Sequence, residues 1–197
     1  MSVISRGFSG RKRPDDGRLP PGQYETRDFP VLSAGPTPHI KNWQFTITTE
    51  TGDRHRWDWA QLTALPAEDI TRDIHCVTKW SKFDTSWRGV SVDTLLDGII
   101  TDAGYAMAKS YGGYTTNLPL PDLRGGKAWV AYEYDGAPLH PEHGGPARLL
   151  VPHLYFWKSA KWVTGLDLMT ADDQGFWEQL GYHDYGDPWR EQRYQGD

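Results

Sequence analysis

Cys76 is the only cysteine in this 197-residue chain. A lone thiol can form neither an internal disulfide nor half of a Cys-x-x-Cys zinc site, so no such cross-link can hold the fold. The fold must therefore rest on a buried core, for which the chain is long enough. Three roles stay open to the thiol: a small buried hydrophobe, a nucleophile, or one soft ligand to a metal held mostly by other groups.

Composition narrows the class of protein. Ten Trp and ten Tyr carry much of the apolar area, and such rings suit a pocket that is apolar yet able to hydrogen-bond. The net charge of −5 argues against a general nucleic-acid or membrane-surface binder. No apolar stretch approaches the roughly 20 residues that span a bilayer, and the basic start lacks the apolar region of a secretory signal. We expect a cytoplasmic protein with no nucleic-acid partner and no membrane span.

The chain divides by composition into an arm and a domain. Residues 1–38 are rich in Pro, Gly and charge and lack clear periodicity. Their basic cluster, Arg11, Lys12 and Arg13, is interpreted as solvated. We predict an N-terminal arm (1–38) that packs on a single domain (39–197). The tail, 172–197, is too aromatic to be disordered and is expected to wrap back onto that domain.

Strand patterns outnumber helix patterns along the chain. Helices are predicted over 60–65, closed by Pro66, and over 92–100, with Ser91 as the N-cap. The predicted strands are 43–48, 54–59, 70–77, 105–110, 128–134, 147–152 and 160–168. Few helices among many strands indicate an α+β domain with mixed β-sheets rather than a doubly wound fold.

Two groupings carry chemistry. In His143-Gly-Gly-Pro-Ala-Arg148, a histidine and an arginine flank a turn that enters a strand. The segment 157–162 places lysines between indoles. Glycine lets a backbone approach a ligand closely, and Arg and Lys match phosphate oxygens. The alternative for each grouping is a surface loop with a salt bridge.

Together and in this order, the segments resemble the sulfite oxidase family of molybdopterin enzymes over nearly the whole chain. Cys76-Val-Thr-Lys-Trp80-Ser resembles the metal-binding cysteine segment of that family, especially as found in bacterial periplasmic methionine sulfoxide reductases. The segment 143–152, followed by 158–162, resembles the pterin-phosphate loop and the lysine motif. The ending 175–189 resembles a small, cytoplasmic-type branch. The resemblance implies the sulfite-oxidase-type molybdopterin-binding fold.

The same resemblance implies a molybdenum–molybdopterin cofactor, without haem or flavin, in which Cys76 supplies the single protein sulfur. A thiolate is a soft, electron-donating ligand that suits this metal. Arg27 and Tyr182 correspond to active-site residues that would orient the substrate and hydrogen-bond near the metal. The other implied cofactor contacts are Thr26, Arg27 again, Asp28, Phe29, Ser110, His143, Arg148, Ser159, Ala160 and Lys161.

The implied activity is two-electron oxygen-atom transfer on a small S- or N-containing substrate, with electrons exchanged with an external carrier. True sulfite oxidases carry another arginine five residues after the metal cysteine, where this chain has Ser81. The lost charge favours an uncharged substrate, and the missing Ig-like dimerisation domain favours a monomer. Two alternatives stay open: a non-catalytic pterin-binding module, and a thiol enzyme with Cys76 as the nucleophile.

Overall fold

A computed structural model describes residues 17–197, so the basic cluster of Arg11, Lys12 and Arg13 lies outside the described residues. Within 17–197 the chain forms two sheets and three short α-helices. The helices are α1 (Trp59–Ala64), α2 (Val92–Leu96) and α3 (Phe176–Gln179). The strands are β1 (Tyr24–Glu25), β2 (Gln44–Thr48), β3 (Arg54–Asp58), β4 (Ala67–His75), β5 (Trp80–Ser91), β6 (Tyr105–Ser110), β7 (Thr115–Pro119), β8 (Trp129–Tyr134), β9 (Ala137–Pro138), β10 (Arg148–Leu150) and β11 (Val163–Met169).

The long strand β5 organises the first sheet. It pairs antiparallel with β4 and with β8, and in parallel with β1 at its start. Strand β8 in turn pairs with β9 and β10. Since β4 and β5 form a hairpin, the short connection between them, 76–79, projects from the end of the sheet, and Cys76 is its first residue.

The second sheet has the strand order β3-β2-β11-β6-β7. Its β2–β11 pair is parallel and its other pairs are antiparallel. Gly165 of β11 permits the parallel pair, because a Cβ there would lie 2.1 Å from the carbonyl oxygen of Thr46. Both sheets thus mix strand directions and helices are few, which confirms the predicted α+β class.

Two clusters of buried side chains form the core. The first draws on both sheets and on α1 and α2, and includes Phe45, Leu95, Val130 and Leu166. The second belongs to the first sheet and contains Cys76 itself. Its other buried members are Ile70, Ile74, Trp80, Trp87, Trp129, Ala131, Leu139 and Leu150. The thiol therefore sits at the edge of a packed, tryptophan-rich layer.

Several predicted elements agree with the structure and others need correction. Strand β6 has the predicted bounds, β2, β3 and β8 differ from prediction by one residue at one end, and α1 is shifted by one residue at both ends. The predicted helix 92–100 is too long, because it ends at Leu96 before Gly98 at φ 73°, and Ile100 is 94% exposed. The predicted strand 147–152 shrinks to β10, and β11 begins three residues later and ends one residue later than the predicted strand 160–168. The predicted strand 70–77 is shifted, because β4 begins at Ala67 and ends at His75, so Cys76 follows the strand instead of belonging to it. Strands β5 and β7 are not predicted at all.

The ends of the chain contact the rest of the domain. Of the predicted arm, residues 17–38 are described, and Arg18 forms ion pairs with Asp73 and Asp84. Glu178 of the tail forms a buried ion pair with Lys158. None of the helices in the described part of the chain has the length and hydropathy needed to cross a membrane.

Candidate functional site

The hairpin turn fixes the position of Cys76. The Cys76 N–H donates to the Trp80 carbonyl over 2.8 Å, and the Lys79 N–H donates back to the Cys76 carbonyl over 3.0 Å. Lys79 closes the turn at φ 76°, a conformation that residues other than glycine adopt only occasionally. The thiol is thereby held by backbone hydrogen bonds rather than by its own packing alone.

The surroundings of the Cys76 thiol do not activate it as a nucleophile. Cys76 is 7% exposed, and its Sγ accepts a hydrogen bond from the Thr78 hydroxyl at 3.1 Å. Burial raises the pKa of the thiol, and Thr78 and the positive charge of Arg193 act in the opposite direction. His75 points to the other face of β4, where its Nδ1 is 2.8 Å from the Ser81 hydroxyl. The adjacent histidine therefore does not activate the thiol as a base.

Cys76 lines a cavity of about 570 Å³. Aromatic rings from the core and from the C-terminal tail form much of its wall, among them Trp80, Trp157, Trp162, Trp177 and Tyr182. The polar part of the lining includes Arg148, Ser159 and Lys161. A single soft sulfur and two cations thus share one largely apolar space.

Arg148 is an almost completely buried cation that is held by backbone carbonyls. Its guanidinium donates to the carbonyl oxygens of His143 at 2.8 Å and of Ser159 at 2.6 Å, and lies 4.0 Å from the ring centre of Phe156. In residues 17–197 it makes no ion pair with a carboxylate. Burial accordingly lowers the pKa of Arg148. A buried unpaired charge is costly, so this arrangement suits a bound anion.

Lys161 adds a second cation beside Arg148. Its Nζ donates to the Glu142 carbonyl at 2.6 Å and to the Ser33 hydroxyl at 3.3 Å. Burial and then the charge of Arg148 lower the pKa of Lys161 to about 8. Gly144, at φ 111°, brings the two loops together, because a Cβ there would lie 3.0 Å from the Lys161 Cα. The glycine-rich loop and the lysine segment therefore form one cation-bearing site.

His143 and Ser110, near the cavity, each have a buried polar atom without a hydrogen-bond partner among residues 17–197. The His143 ring stacks on Phe29, with ring centres 4.0 Å apart and planes at 9°, yet its Nδ1 has no hydrogen-bond partner in the described part of the chain. The Ser110 hydroxyl, just before the cavity-lining Tyr111, is buried and equally unpartnered. Unsatisfied buried polar groups are rare in native proteins, and both are available to a polar ligand.

The structure brings together only part of the residue set that the sequence analysis proposes. Cys76, Phe29, Arg148, Ser159, Lys161 and Tyr182 line the cavity, and His143 lies directly against Phe29.

The other proposed residues lie away from the cavity lining. Arg27 and Asp28 are exposed and outside it, so no role for Arg27 against a substrate is visible here. Thr26 donates its N–H to the Ser81 carbonyl, and Ala160 packs in the core.

Sequence reasoning missed parts of the site that come from the tail and the lysine segment. Phe176 and Trp177 close one side of the cavity, and only the aromatic richness of the tail hinted at this. Lys158, which the lysine motif includes, turns away from the cavity. Its Nζ is 2.6 Å from Glu178 Oε1, and both side chains are completely buried. Lys158 is thus a structural cation, and Lys161 is the one facing the cavity.

The residues present fit a cofactor with a soft metal and an anionic organic part. The thiol can supply a sulfur ligand, the cations Arg148 and Lys161 can hold a phosphate, and the His143 Nδ1 and the Ser110 hydroxyl can hydrogen-bond a polar ring. The volume lies within the usual range of small-molecule and cofactor sites, which is about 300–1,000 Å³.

Comparison with known proteins gives a consistent result. Residues 34–177 match the family described as the oxidoreductase molybdopterin binding domain. The chain is 40% identical over 197 residues to the uncharacterized oxidoreductase YuiH of Bacillus subtilis (strain 168), covering 96% of this chain and 100% of that protein. It is 33% identical over 188 residues to the sulfite oxidase of Arabidopsis thaliana, covering 75% of this chain and 48% of that enzyme.

A solved structure shows the same fold. The sulfane dehydrogenase SoxCD from Paracoccus pantotrophus superposes with a TM-score of 0.58, over 66% of this chain and 38% of that chain. The sequence identity is 18%, so the likeness concerns the fold alone.

Proposed function

The chain belongs to the oxidoreductase molybdopterin binding domain family, and from this premise we propose that it catalyses two-electron oxygen-atom transfer on a small, uncharged S- or N-containing substrate. The family makes the protein an oxidoreductase that takes a molybdenum–molybdopterin cofactor. One observation carries the proposal for this chain: the lone thiol, the buried Arg148 and the half-buried Lys161 line the same cavity, and neither cation forms an ion pair with a carboxylate of residues 17–197.

Different residues of the site would bind different parts of the cofactor. Cys76 would hold the metal through its thiolate, and Arg148 and Lys161 would hold the phosphate by charge-assisted hydrogen bonds. His143 and Ser110 would donate to or accept from the polar edge of the pterin through their unpartnered atoms. When bound, the molybdenum centre supplies two-electron redox chemistry coupled to the transfer of an oxygen atom. The aromatic walls would limit the access of water to this chemistry.

Among residues 17–197, the lining of the cavity offers a doubly charged anion no cation beyond Arg148 and Lys161, which are assigned to the phosphate. Ser81 is completely buried and paired with His75, so it does not replace an arginine at the substrate position. Tyr182 lines the cavity and could donate one hydrogen bond to a neutral oxide. Aromatic surfaces with a few polar donors favour an uncharged S- or N-oxide, or its deoxygenated counterpart.

The alternatives differ from this proposal in measurable ways. A thiol enzyme needs an activated thiolate, whereas burial raises the pKa of Cys76 and His75 faces away. A non-catalytic pterin-binding module would keep the same cation site but show no turnover. An external electron carrier, a monomeric state and a cytoplasmic location stay predictions from the sequence.

Turnover by the cofactor-loaded protein tests the proposal. We expect activity with artificial electron carriers toward at least one member of a panel of uncharged S-oxides, N-oxides and their reduced forms, and weaker activity toward sulfite. A fully loaded protein that is inert toward the whole panel and toward sulfite would favour the binding module. Sulfite as the preferred substrate would contradict the proposed charge preference while leaving the reaction type intact.

The pKa of Lys161 gives a prediction for anion binding. The pKa is lowered to about 8, so Lys161 is charged below this pH and loses its charge above it. Phenyl phosphate has a second pKa near 6 and keeps its charge over this range. Its affinity for cofactor-free protein should therefore fall above pH 8, by up to about tenfold per pH unit. Calorimetry between pH 7 and 9.5 measures this.

The matched control for this prediction is Lys161→Arg. An arginine keeps its charge throughout the pH range, so the decline above pH 8 should disappear in this variant. An equally steep decline in Lys161→Arg would assign the titration to another group, and an affinity independent of pH in the unaltered protein would remove Lys161 from the anion site.

A further inference from the structure

The turn that carries Cys76 is clamped by side chains from both ends of the chain. Gln23 Nε2 donates to the Cys76 carbonyl at 3.1 Å, and Arg193 Nη1 donates to the Val77 carbonyl at 2.7 Å. The two contacts bridge 53 and 116 residues of sequence, respectively. They satisfy successive carbonyls of the hairpin turn from opposite termini.

Arg193 is poorly neutralised at this position. It is 8% exposed, its Nη2 lies 3.4 Å from the Pro21 carbonyl, and its guanidinium carbon lies 5.0 Å over the Tyr155 ring. The carboxylate paired with it, that of Glu191, is 4.0 Å away on a side chain that is 52% exposed. Solvent screens an exposed carboxylate more than a buried guanidinium, so a net positive field remains at the turn.

That field reaches the sulfur. The Arg193 guanidinium bonds to the residue next to Cys76, and its charge counters part of the rise that burial imposes on the pKa of the thiol. Neither Gln23 nor Arg193 falls within 34–177, so the clamp is built from segments outside the family-matching domain. Its contribution to the site belongs to the arm and tail of this chain.

We propose that Arg193 is a positioning residue for Cys76, which fixes the cysteine turn and holds a positive charge beside the metal-binding sulfur. The charge favours the more electron-rich state of the bound centre, so it raises the reduction potential. The second half of this inference rests on the proposed function. The first half concerns the turn alone and stands without a cofactor.

Hydrogen exchange of the as-purified full chain tests the clamp. Arg193→Gln removes the charge-assisted bond to the Val77 carbonyl, so the amides of Cys76 and Lys79 should exchange about tenfold faster. The matched control is Arg190→Gln, which removes an exposed cation from the same tail and should leave these amides unchanged. Equal protection of the turn in Arg193→Gln and the unaltered protein would overturn the clamp.

A reductive titration of the loaded protein, followed by electron paramagnetic resonance, tests the charge. We expect a lower midpoint potential in Arg193→Gln, little change in Arg190→Gln, and a potential near that of the unaltered protein in Arg193→Lys, which keeps the charge. A role in folding alone would not separate the Lys and Gln variants in this way. If the Gln variant folds poorly, the test compares the midpoint potentials of Arg193→Lys and the unaltered protein. A large difference between these two potentials would overturn the electrostatic role.

The outcomes separate this inference from the proposed function. If the unaltered protein takes up no molybdenum, the proposed function and the electrostatic role of Arg193 are both contradicted. The hydrogen-exchange measurement would still test whether Arg193 fixes the cysteine turn. A loaded protein whose potential is the same in all the variants would overturn the electrostatic role of Arg193 and leave the proposed function in place.

Discussion

Cys76→Ser is expected to abolish oxygen-atom transfer while leaving the protein folded. Serine has nearly the same shape, and its hydroxyl can keep the hydrogen bond with Thr78, so the free energy of unfolding should change by only about 1 kcal/mol. The loss of activity should exceed about 100-fold, because removing even an outer-shell partner of a metal ligand typically costs 10–100-fold. Turnover per bound molybdenum, measured beside thermal unfolding, checks both halves.

Thr78→Val is the matched control for this variant. It removes the hydroxyl that donates to Sγ and leaves the sulfur in place, so it should lose much less activity than Cys76→Ser. A serine variant that retains substantial activity at full loading would contradict the assignment of Cys76 as the metal ligand.

Lys158→Met is expected to cost about 3–5 kcal/mol of unfolding free energy, because it leaves a buried carboxylate without its counter-charge. Lys158 Nζ donates to the carbonyl oxygens of Asn117 and Asp184 besides its ion pair with Glu178. Glu178 also accepts hydrogen bonds from Thr116 and Trp157. The pair therefore joins the lysine segment, β7 and the tail at one point, and chemical denaturation measures its loss.

Two variants sharpen this result. Lys109→Met breaks an ion pair with Asp167 that has the same 2.6 Å distance but is exposed, so it should cost no more than about 1 kcal/mol. The double variant Lys158→Met/Glu178→Gln removes both buried charges and should recover part of the lost stability. Similar losses of unfolding free energy in Lys158→Met and Lys109→Met would show that burial does not determine how much the Lys158–Glu178 ion pair contributes to stability.

Local patterns account for the elements that the sequence predicts well. The alternating run that forms β2, the turn at 51–53 and the return strand β3 are all read from neighbouring residues. Strand β5 escapes the same reasoning because residues 81–86 in its first half are polar or charged except for Phe83. Its buried Ser81 and Thr85 are satisfied across the β4–β5 pair by the His75 ring and the Arg72 carbonyl. That compensation exists only once the strands are paired.

In the candidate site, too, local sequence predicts some features, and others depend on contacts between distant segments. The order of the cysteine turn, the glycine-rich loop and the lysine segment predicts which elements meet, and Cys76, Arg148 and Lys161 do line one cavity. The sequence does not show that Lys158 turns inward, because its partner Glu178 is 20 residues away and no local pattern links the two residues. The roles of Gln23 and Arg193 also cannot be predicted from the sequence, because both side chains bind backbone carbonyls, which every residue has.

Molybdenum content tests the central claim most directly. Protein produced in a host that makes the cofactor, and analysed by plasma mass spectrometry, should carry near-stoichiometric molybdenum. That result would support the cavity of Cys76, Arg148 and Lys161 as a molybdopterin site and turn attention to the substrate. Protein free of molybdenum from a competent host would contradict the account, return Cys76 to the role of a buried thiol or nucleophile, and reduce the family relationship to one of fold.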